Sequence, residues 1–140
     1  MEPVGRWGWL QVDCADPVRM AGFWGELLGE DVGPALGDPV QYLGLVPRQP
    51  GEPVLSFQRV PEGRAGKNRL HLDVEVADVD AATDRVLGLG GRRVERPDFA
   101  EHGFSWRVMA DPEGNEFCLV SDPGPSPAAG PRLALAVAEC

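Results

Sequence analysis

The sequence is poor in cysteine, in basic residues and in long apolar runs. Its 3 cysteines, Cys14, Cys118 and Cys140, are an odd number at unrelated spacings, so they predict no disulfide framework. Its 13 basic residues are outnumbered by 22 acidic ones, giving a formal charge of −9, which argues against nucleic acid or an anionic membrane surface as partner. No apolar run approaches the ~20 residues that span a bilayer. The N-terminus lacks the order of a signal peptide, so we expect a cytoplasmic protein.

The overall composition is typical of a globular domain. Hydrophobic residues make up 43% of the 140 residues and charged residues 25%, and a chain of this length usually forms one domain. The 18 glycines and 14 prolines predict many short elements joined by turns. A Pro/Gly-rich segment, 122–140, is typical of a tail, which leaves residues 1–121 as the predicted domain.

Two segments have the start and stop signals of helices. Asp16 and Pro17 suit an N-cap and a first helical position, and an apolar stripe then runs to Gly29, which suits the end of a helix. The stripe consists of Met20, Phe23, Trp24, Leu27 and Leu28. A second helix is predicted from Asp78, with Val79, Ala82, Val86 and Leu89 on one face.

Period-two alternation predicts the strands. One strand precedes each helix, at 9–14 and 71–76. Further strands are predicted at 41–46, 54–60, 92–95, 104–109 and 116–121.

The two halves of the chain repeat each other at a constant offset. A shift of 62 residues places Asp16 on Asp78, and it also matches strand and turn residues such as Leu10 with Leu72 and Gly29 with Gly91. We interpret this as a duplicated β-α-β-β-β module, with module one at about 7–60, a linker at 61–67 and module two at about 68–121. The predicted fold class is α+β: paired modules forming a cupped mixed sheet with helices on the outer face.

The strand face turned away from the helices carries the candidate functional side chains. Trp9, Gln11 and Asp13 share this face in module one, and His71, Asp73 and Glu75 share it in module two, with Glu116 and Cys118 on the last strand. One interpretation is a solvated face. The other is a concave trough in which a small molecule binds, with Trp9 as an aromatic platform. Trp106 is a further aromatic candidate, and His102, in a nearby loop, is assigned to the surface.

Three segments resemble one known family. They are Cys14-Ala15-Asp16-Pro17 before an aromatic-rich helix, Asn68-Arg69-Leu70-His71-Leu72-Asp73-Val74, and the turn Asp111-Pro112-Glu113-Gly114-Asn115 before a final strand. Together they resemble the glyoxalase/bleomycin-resistance/dioxygenase (vicinal oxygen chelate) superfamily, in its glyoxalase-like branch. The similarity runs from about Trp9 to Ser121. It implies paired β-α-β-β-β modules, and homodimers are common among such relatives.

The resemblance also implies where a metal would bind. Family enzymes hold a divalent metal with a His on the first strand and a Glu on the last strand of a module. The matching positions here are Trp9 and His71, then Cys118 and either Ser56 or, with a gap, Gln58. Since only His71 keeps a usual ligand, we expect no metal cofactor. If a metal is present, His71 with Glu116 or Cys118 would hold it, and Zn, Fe, Mn or Ni is the alternative cofactor.

Two functions stay open on the sequence. The first is a binding protein of the glyoxalase/bleomycin-resistance type that holds an organic ligand without chemistry. The alternative is an enzyme, either a metal-dependent lyase, isomerase or dioxygenase with rearranged ligands or an acid–base catalyst using His71 and Glu116. The candidate ligand-binding residues are Trp9, Gln11, Ser56, Gln58, His71, Asp73, Trp106, Glu116 and Cys118.

The expected partner is a small organic ligand, and neither nucleic acid nor a membrane is expected as a partner. The resemblance also leads us to expect a homodimer. An acidic, aromatic trough would suit a cationic, planar compound.

Overall fold

The computed structural model describes residues 2–101 and 103–121. His102 and the predicted tail 122–140 therefore lie outside the described residues. The chain divides into two compact units with the boundary between Ala65 and Gly66, and each unit is described by itself below. In the described part of the chain, neither helix has the length and apolar character needed to cross a bilayer.

The first unit contains one helix and one mixed sheet. Its elements in chain order are β1 (Trp9–Cys14), α1 (Pro17–Leu28), β2 (Asp31–Leu36), β3 (Tyr42–Val46) and β4 (Val54–Arg59). The sheet order is β1-β4-β3-β2, with β1 and β4 parallel and the other neighbours antiparallel. Parallel neighbours need a crossover connection, which α1, β2 and β3 provide.

The second unit repeats this plan with one extra short strand. Its described elements are β5 (Asp73–Val76), α2 (Val79–Gly88), β6 (Arg92–Arg93), β7 (Phe99–Glu101), β8 (Phe104–Ala110) and β9 (Glu116–Ser121). The sheet order is β5-β9-β8-β6, and β7 also pairs with β8. β5 and β9 are parallel, whereas β8 and β9 are antiparallel. The predicted α+β class with repeated modules is confirmed.

Helix α1 begins and ends where the sequence predicts. The Asp16 backbone is extended, and its carboxylate accepts a hydrogen bond from the Arg19 backbone N–H at 3.1 Å. Gly29 closes the helix in the left-handed region, at φ 67°, where a side chain would be strained. Met20, Phe23 and Trp24 are buried, as the apolar stripe predicts.

Helix α2 has the same kind of start. The Asp78 carboxylate accepts hydrogen bonds from the backbone N–H groups of Asp80 and Ala81, at 2.9 and 3.0 Å. Val86, in the middle of the predicted apolar face, is fully buried. The helix ends at Gly88, and Gly90 follows it with φ 95°.

The 62-residue offset extends to the pairing of the strands. Gln11 pairs with Ser56 in the first sheet, and Asp73 pairs with Cys118 in the second. Both members of the second pair lie 62 positions after those of the first, so the first and last strands of the two modules share one register. The last strands, Val54–Arg59 and Glu116–Ser121, match end to end at the same offset. Ser56 is therefore the structural equivalent of Cys118, and no gap moves that position to Gln58.

Two strands were missed by the sequence prediction. β2 contains Gly33 and Pro34, which interrupt its alternation, but it lies at the sheet edge, where a missing N–H is tolerated. A Cβ on Gly33 would lie 2.9 Å from the Gly44 carbonyl oxygen, so only glycine allows this approach. β7 spans three residues, too few for a pattern. Conversely, the strand predicted at 71–76 begins only at Asp73, although Leu72 still accepts a hydrogen bond from the Cys118 N–H at 2.9 Å.

Each helix covers one face of its own sheet. α1 packs mainly on β2, β3 and β4, and α2 packs on β6, β8 and β9. Residues buried on the covered faces include Leu43, Leu45, Leu55 and Phe57 in the first unit and Val74, Met109, Phe117 and Leu119 in the second. Leu10 and Val12, expected under the helix, are only half-buried because α1 lies over the other strands.

A buried arginine joins α2 to its sheet. Arg107 on β8 is 10% exposed and donates from Nη1 to Asp80 Oδ1 at 2.9 Å and to Thr83 Oγ1 at 2.8 Å. It also donates to both carboxylate oxygens of Asp98, at 2.9 and 2.6 Å. These hydrogen bonds lower the pKa of Asp98 and raise that of Arg107.

We expect Arg107→Lys to lower the free energy of unfolding by about 2 kcal/mol, because an ammonium group cannot replace the bidentate contact with Asp98 together with the bond to Thr83. Urea denaturation would measure the loss. Arg93→Lys is the matched control, since Arg93 contacts the same Asp98 from an exposed position and should cost under about 0.5 kcal/mol. Equal losses of unfolding free energy in the two variants would contradict the conclusion that Arg107 joins α2 to its sheet.

The lowered pKa of Asp98 predicts a contribution to acid sensitivity. A carboxyl whose folded pKa is lowered stabilises the fold above its ordinary pKa of about 3.9 and loses that contribution as the pH falls through the folded pKa. We therefore expect Asp98→Asn to be less stable than the wild type at pH 7, with the difference narrowing as the pH falls below about 4. Urea denaturation across this pH range tests the prediction, and a constant difference would contradict it.

Candidate functional site

The open face of the first sheet presents the aromatic ring of Trp9 together with polar groups. Strand pairing places Gln11 beside Ser56, and Asp13 beside Gln58, on the face opposite the buried Phe57. Trp9 shares this face and is 71% exposed, whereas Ser56 is 7% exposed. The first-module candidates Trp9, Gln11, Ser56 and Gln58 therefore lie on one surface of this unit.

Tyr42 also belongs to this surface, although the sequence analysis did not select it. It pairs with Gln58 across β3 and β4 and is 45% exposed. The alternation in the sequence Tyr-Leu-Gly-Leu-Val could have identified it, because Leu43 and Leu45 are buried on the other face.

The open face of the second sheet brings a histidine and a carboxylate into contact. His71 Nε2 lies 3.2 Å from Asp73 Oδ1, and both side chains are about one-fifth exposed, at 20% and 21%. Cys118, which pairs with Asp73 and is 2% exposed, lies beside them. One ligand atom from each of these three residues falls within 4.8 Å of the other two. Cys118 is disulfide-bonded, so the expectation that the cysteines form no disulfide is wrong at this position, and the Cys118 sulfur is not a free thiol. The described carboxylate next to His71 is thus Asp73, whereas the acid–base hypothesis assigned Glu116.

Glu116 lies at the start of β9, opposite Ala110. Its Oε1 atom is 3.6 Å from Arg96 Nη2, and the Glu116 side chain is 15% exposed. Its Oε2 atom is fully buried and has no hydrogen-bond partner among the described residues. Arg96 was not selected from the sequence, because its approach to Glu116 depends on the path of the loop after β6.

The turn that precedes Glu116 is held by a buried carboxylate. Asp111 is 2% exposed, and its Oδ1 accepts hydrogen bonds from the backbone N–H groups of Glu113 and Asn115, both at 3.0 Å. The Asn115 side-chain amide donates to Asp111 Oδ2 at 2.9 Å and accepts a bond from the Asn68 amide at 3.2 Å. Gly114 takes a φ of 86°. The turn thereby fixes where β9 begins, and with it the position of Glu116.

Unlike the exposed Trp9, Trp106 is buried against neighbouring side chains. It is 7% exposed and stacks on Phe99, with ring centroids 5.5 Å apart and an interplanar angle of 12°. Val108 and Cys118 complete the buried cluster around it. Its ring therefore contributes packing to the open face of the second sheet, with little surface left for a ligand.

A cavity of about 340 Å³ lies at the start of α2 and was not anticipated. Its lining includes Asp78, Asp80, Asp98 and Arg107. Arg107 is already paired with Asp80 and Asp98, and Asp78 caps the helix. The sequence signal for this cluster was the position of Arg107 in the alternation of β8, which puts a charge on the helix-covered face.

Comparison with known families identifies the fold. The family model described as "Glyoxalase-like domain" matches residues 9–120. The chain belongs to the glyoxalase-like domain family. No curated protein matches it significantly.

Solved structures of other proteins share the fold of this glyoxalase-like chain. A glyoxalase family protein from Bacillus cereus has a TM-score of 0.66 at 16% identity, over 88% of this chain and 97% of the other. A hypothetical protein from S. aureus has a TM-score of 0.64 at 18% identity, and the match covers 87% of this chain and 96% of the other. A glyoxalase-related enzyme from Fulvimarina pelagi has a TM-score of 0.63 at 20% identity, and the match covers 86% of this chain and 90% of the other. At these identities the likeness establishes the fold alone.

The residues at the positions of the family's metal ligands do not fit a four-ligand site. The first-module positions hold Trp9, whose indole has no lone pair to donate, and Ser56, a weak ligand as a neutral hydroxyl. In the second module, His71 and Cys118 occupy the equivalent positions, and His71 is already in contact with Asp73. The four positions therefore offer fewer good donors than the three protein ligands typical of a catalytic zinc site.

Proposed function

We propose that this glyoxalase-like protein is a small-molecule binding protein that holds an organic ligand against the open faces of its sheets, without the family's full metal site. The observation that carries the proposal is Trp9. Trp9 is 71% exposed, on the strand face that also carries the amides of Gln11 and Gln58 and the hydroxyl of Ser56. An exposed ring among hydrogen-bonding groups is the composition that small-molecule sites use.

The energetic argument favours a binding role for this ring. Burying the flat face of a tryptophan against an aromatic or cationic ligand removes apolar area from water and adds stacking or cation–π attraction. The folded chain gains little from Trp9, because most of its surface remains in solvent. The other candidate ligand-binding residues in this proposal are His71, Asp73, Trp106, Glu116 and Cys118.

We predict that Trp9→Ala weakens binding much more than folding. A thermal-shift screen of metabolites and antibiotics, with and without metals, would supply a ligand. Titration with that compound should then show an affinity about tenfold lower in Trp9→Ala, with the free energy of unfolding lowered by under about 0.5 kcal/mol.

Trp7→Ala is the matched control for this experiment. Trp7 is 81% exposed but precedes β1, so its loss should leave the affinity unchanged. An unchanged affinity in Trp9→Ala, or a screen in which no compound stabilises the protein, would contradict the proposed function.

One observation favours a second candidate function, a metal-dependent lyase, isomerase or dioxygenase with a rearranged ligand set. The ligand atoms of His71 and Asp73 lie within 4.8 Å of each other and of the Cys118 sulfur, although Cys118 is disulfide-bonded and offers no thiolate. A divalent metal there would supply Lewis-acid chemistry, while His71 and Asp73 would hold it. The poor ligands at Trp9 and Ser56 make this the weaker candidate.

Elemental analysis separates the two candidates. For protein purified without chelators, we expect well under one Zn, Fe, Mn or Ni per chain. A stoichiometric metal that is lost in both His71→Ala and Asp73→Asn, with the thermal transition retained, would overturn the binding-only proposal in favour of the enzyme.

The remaining expectations are part of the same proposal. They are a homodimer, a cytoplasmic location and a single domain over residues 1–121. Sedimentation would test the dimer, and limited proteolysis would test the domain bounds.

A further inference from the structure

Glu116 carries a carboxylate whose hydrogen-bonding capacity the described residues leave unused. Oε2 is fully buried without a donor. The contact of Oε1 with Arg96, at 3.6 Å, is an ion pair longer than a hydrogen bond. Burying a charged oxygen without a donor costs free energy, so native proteins rarely do it without a specific role.

The position of Glu116 places this oxygen in the candidate site. Glu116 lies two residues before Cys118 on β9, so both side chains belong to the face that carries Asp73 and not to the face covered by α2. The side chain as a whole keeps 15% exposure. The terminal torsion of a glutamate is broad, so a small rotation can bring Oε2 to a donor that approaches from the open face.

The charges around Glu116 select the kind of donor. Asp73 and Glu75 lie on the same face of the neighbouring strand β5, and Arg96 is the described cation in contact with Glu116. A neutral donor would satisfy the hydrogen bond alone, whereas a cationic donor would also pair with the charge of the Glu116 carboxylate itself. Hydrogen bonds between charged partners are the stronger kind.

We infer that Glu116 Oε2 is the acceptor for a cationic N–H donor of the bound molecule, an amidinium, guanidinium or primary ammonium group. The inference rests on the proposed function and narrows its ligand class. Arg96 competes with the ligand for the same carboxylate, and Glu116 is a specificity residue that distinguishes N–H cations from cations without a donor.

Two aromatic cations of similar size test this. Benzamidinium has N–H donors, and phenyltrimethylammonium has the charge without them. In NMR titrations of the ¹⁵N-labelled protein, we expect Glu116→Gln to weaken benzamidinium binding about tenfold while phenyltrimethylammonium binding stays within about twofold of the wild type. Glu95→Gln, which removes one exposed charge from the same unit, is the matched control and should leave both affinities unchanged.

Variant stability provides a second readout. In the absence of probes, Glu116→Gln should melt at or above the wild-type temperature, because a neutral amide replaces a buried charge that lacks a donor. Arg96→Gln should strengthen benzamidinium binding about two- to fivefold, because it removes the competing cation.

The contrary results separate this inference from the proposed function. A benzamidinium affinity that Glu116→Gln leaves unchanged, or a wild type that binds no benzamidinium, overturns the inference, while the Trp9 titration with a screened ligand decides the proposed function independently. If Glu116→Gln and Arg96→Gln lower the melting temperature equally and retain binding, the ion pair of Glu116 with Arg96 serves to stabilise the fold. That result would also overturn the inference.

Discussion

The parallel pairing of the first and last strand of each module is the constraint on which the rest of the structure depends. Parallel neighbours cannot be joined by a hairpin, so the chain must leave the sheet through a helix before it returns. That helix packs on one face of its sheet, so the candidate side chains lie on the other face. The pairs Gln11–Ser56 and Asp73–Cys118 have the same register. Residue identity at these equivalent positions can therefore differ between modules while the backbone plan stays the same.

The features encoded by neighbouring residues could be predicted from the sequence. Asp16 with Pro17 gave the start of α1, and Gly29 gave its end, because capping depends on groups within one turn of the helix. The offset of 62 predicted the repeated module, since helix caps and strand faces recur with it. The strands Trp9–Cys14 and Glu116–Ser121 were predicted within their observed bounds because their alternation is uninterrupted.

The features that depend on distant partners could not be predicted in the same way. β2 is a strand despite Gly33 and Pro34 because β3 pairs with it. Which carboxylate contacts His71 depends on rotamers, and so does the stacking of Trp106 on Phe99. The sequence could therefore assign candidate residues to a face, but the contacts of Glu116 with Arg96 required the three-dimensional path of a loop.

Residues on the sheet faces away from the helices can change during evolution with little effect on folding. After a gene duplication, selection for folding acts mainly on the helix-covered positions and on turn residues such as Asp111, whose carboxylate holds two backbone amides. Trp9 and His71 occupy matching places yet differ completely in chemistry, because neither is needed to fill a core. Each half of such a chain can thus acquire new recognition chemistry by drift at a few positions, at little cost to its scaffold.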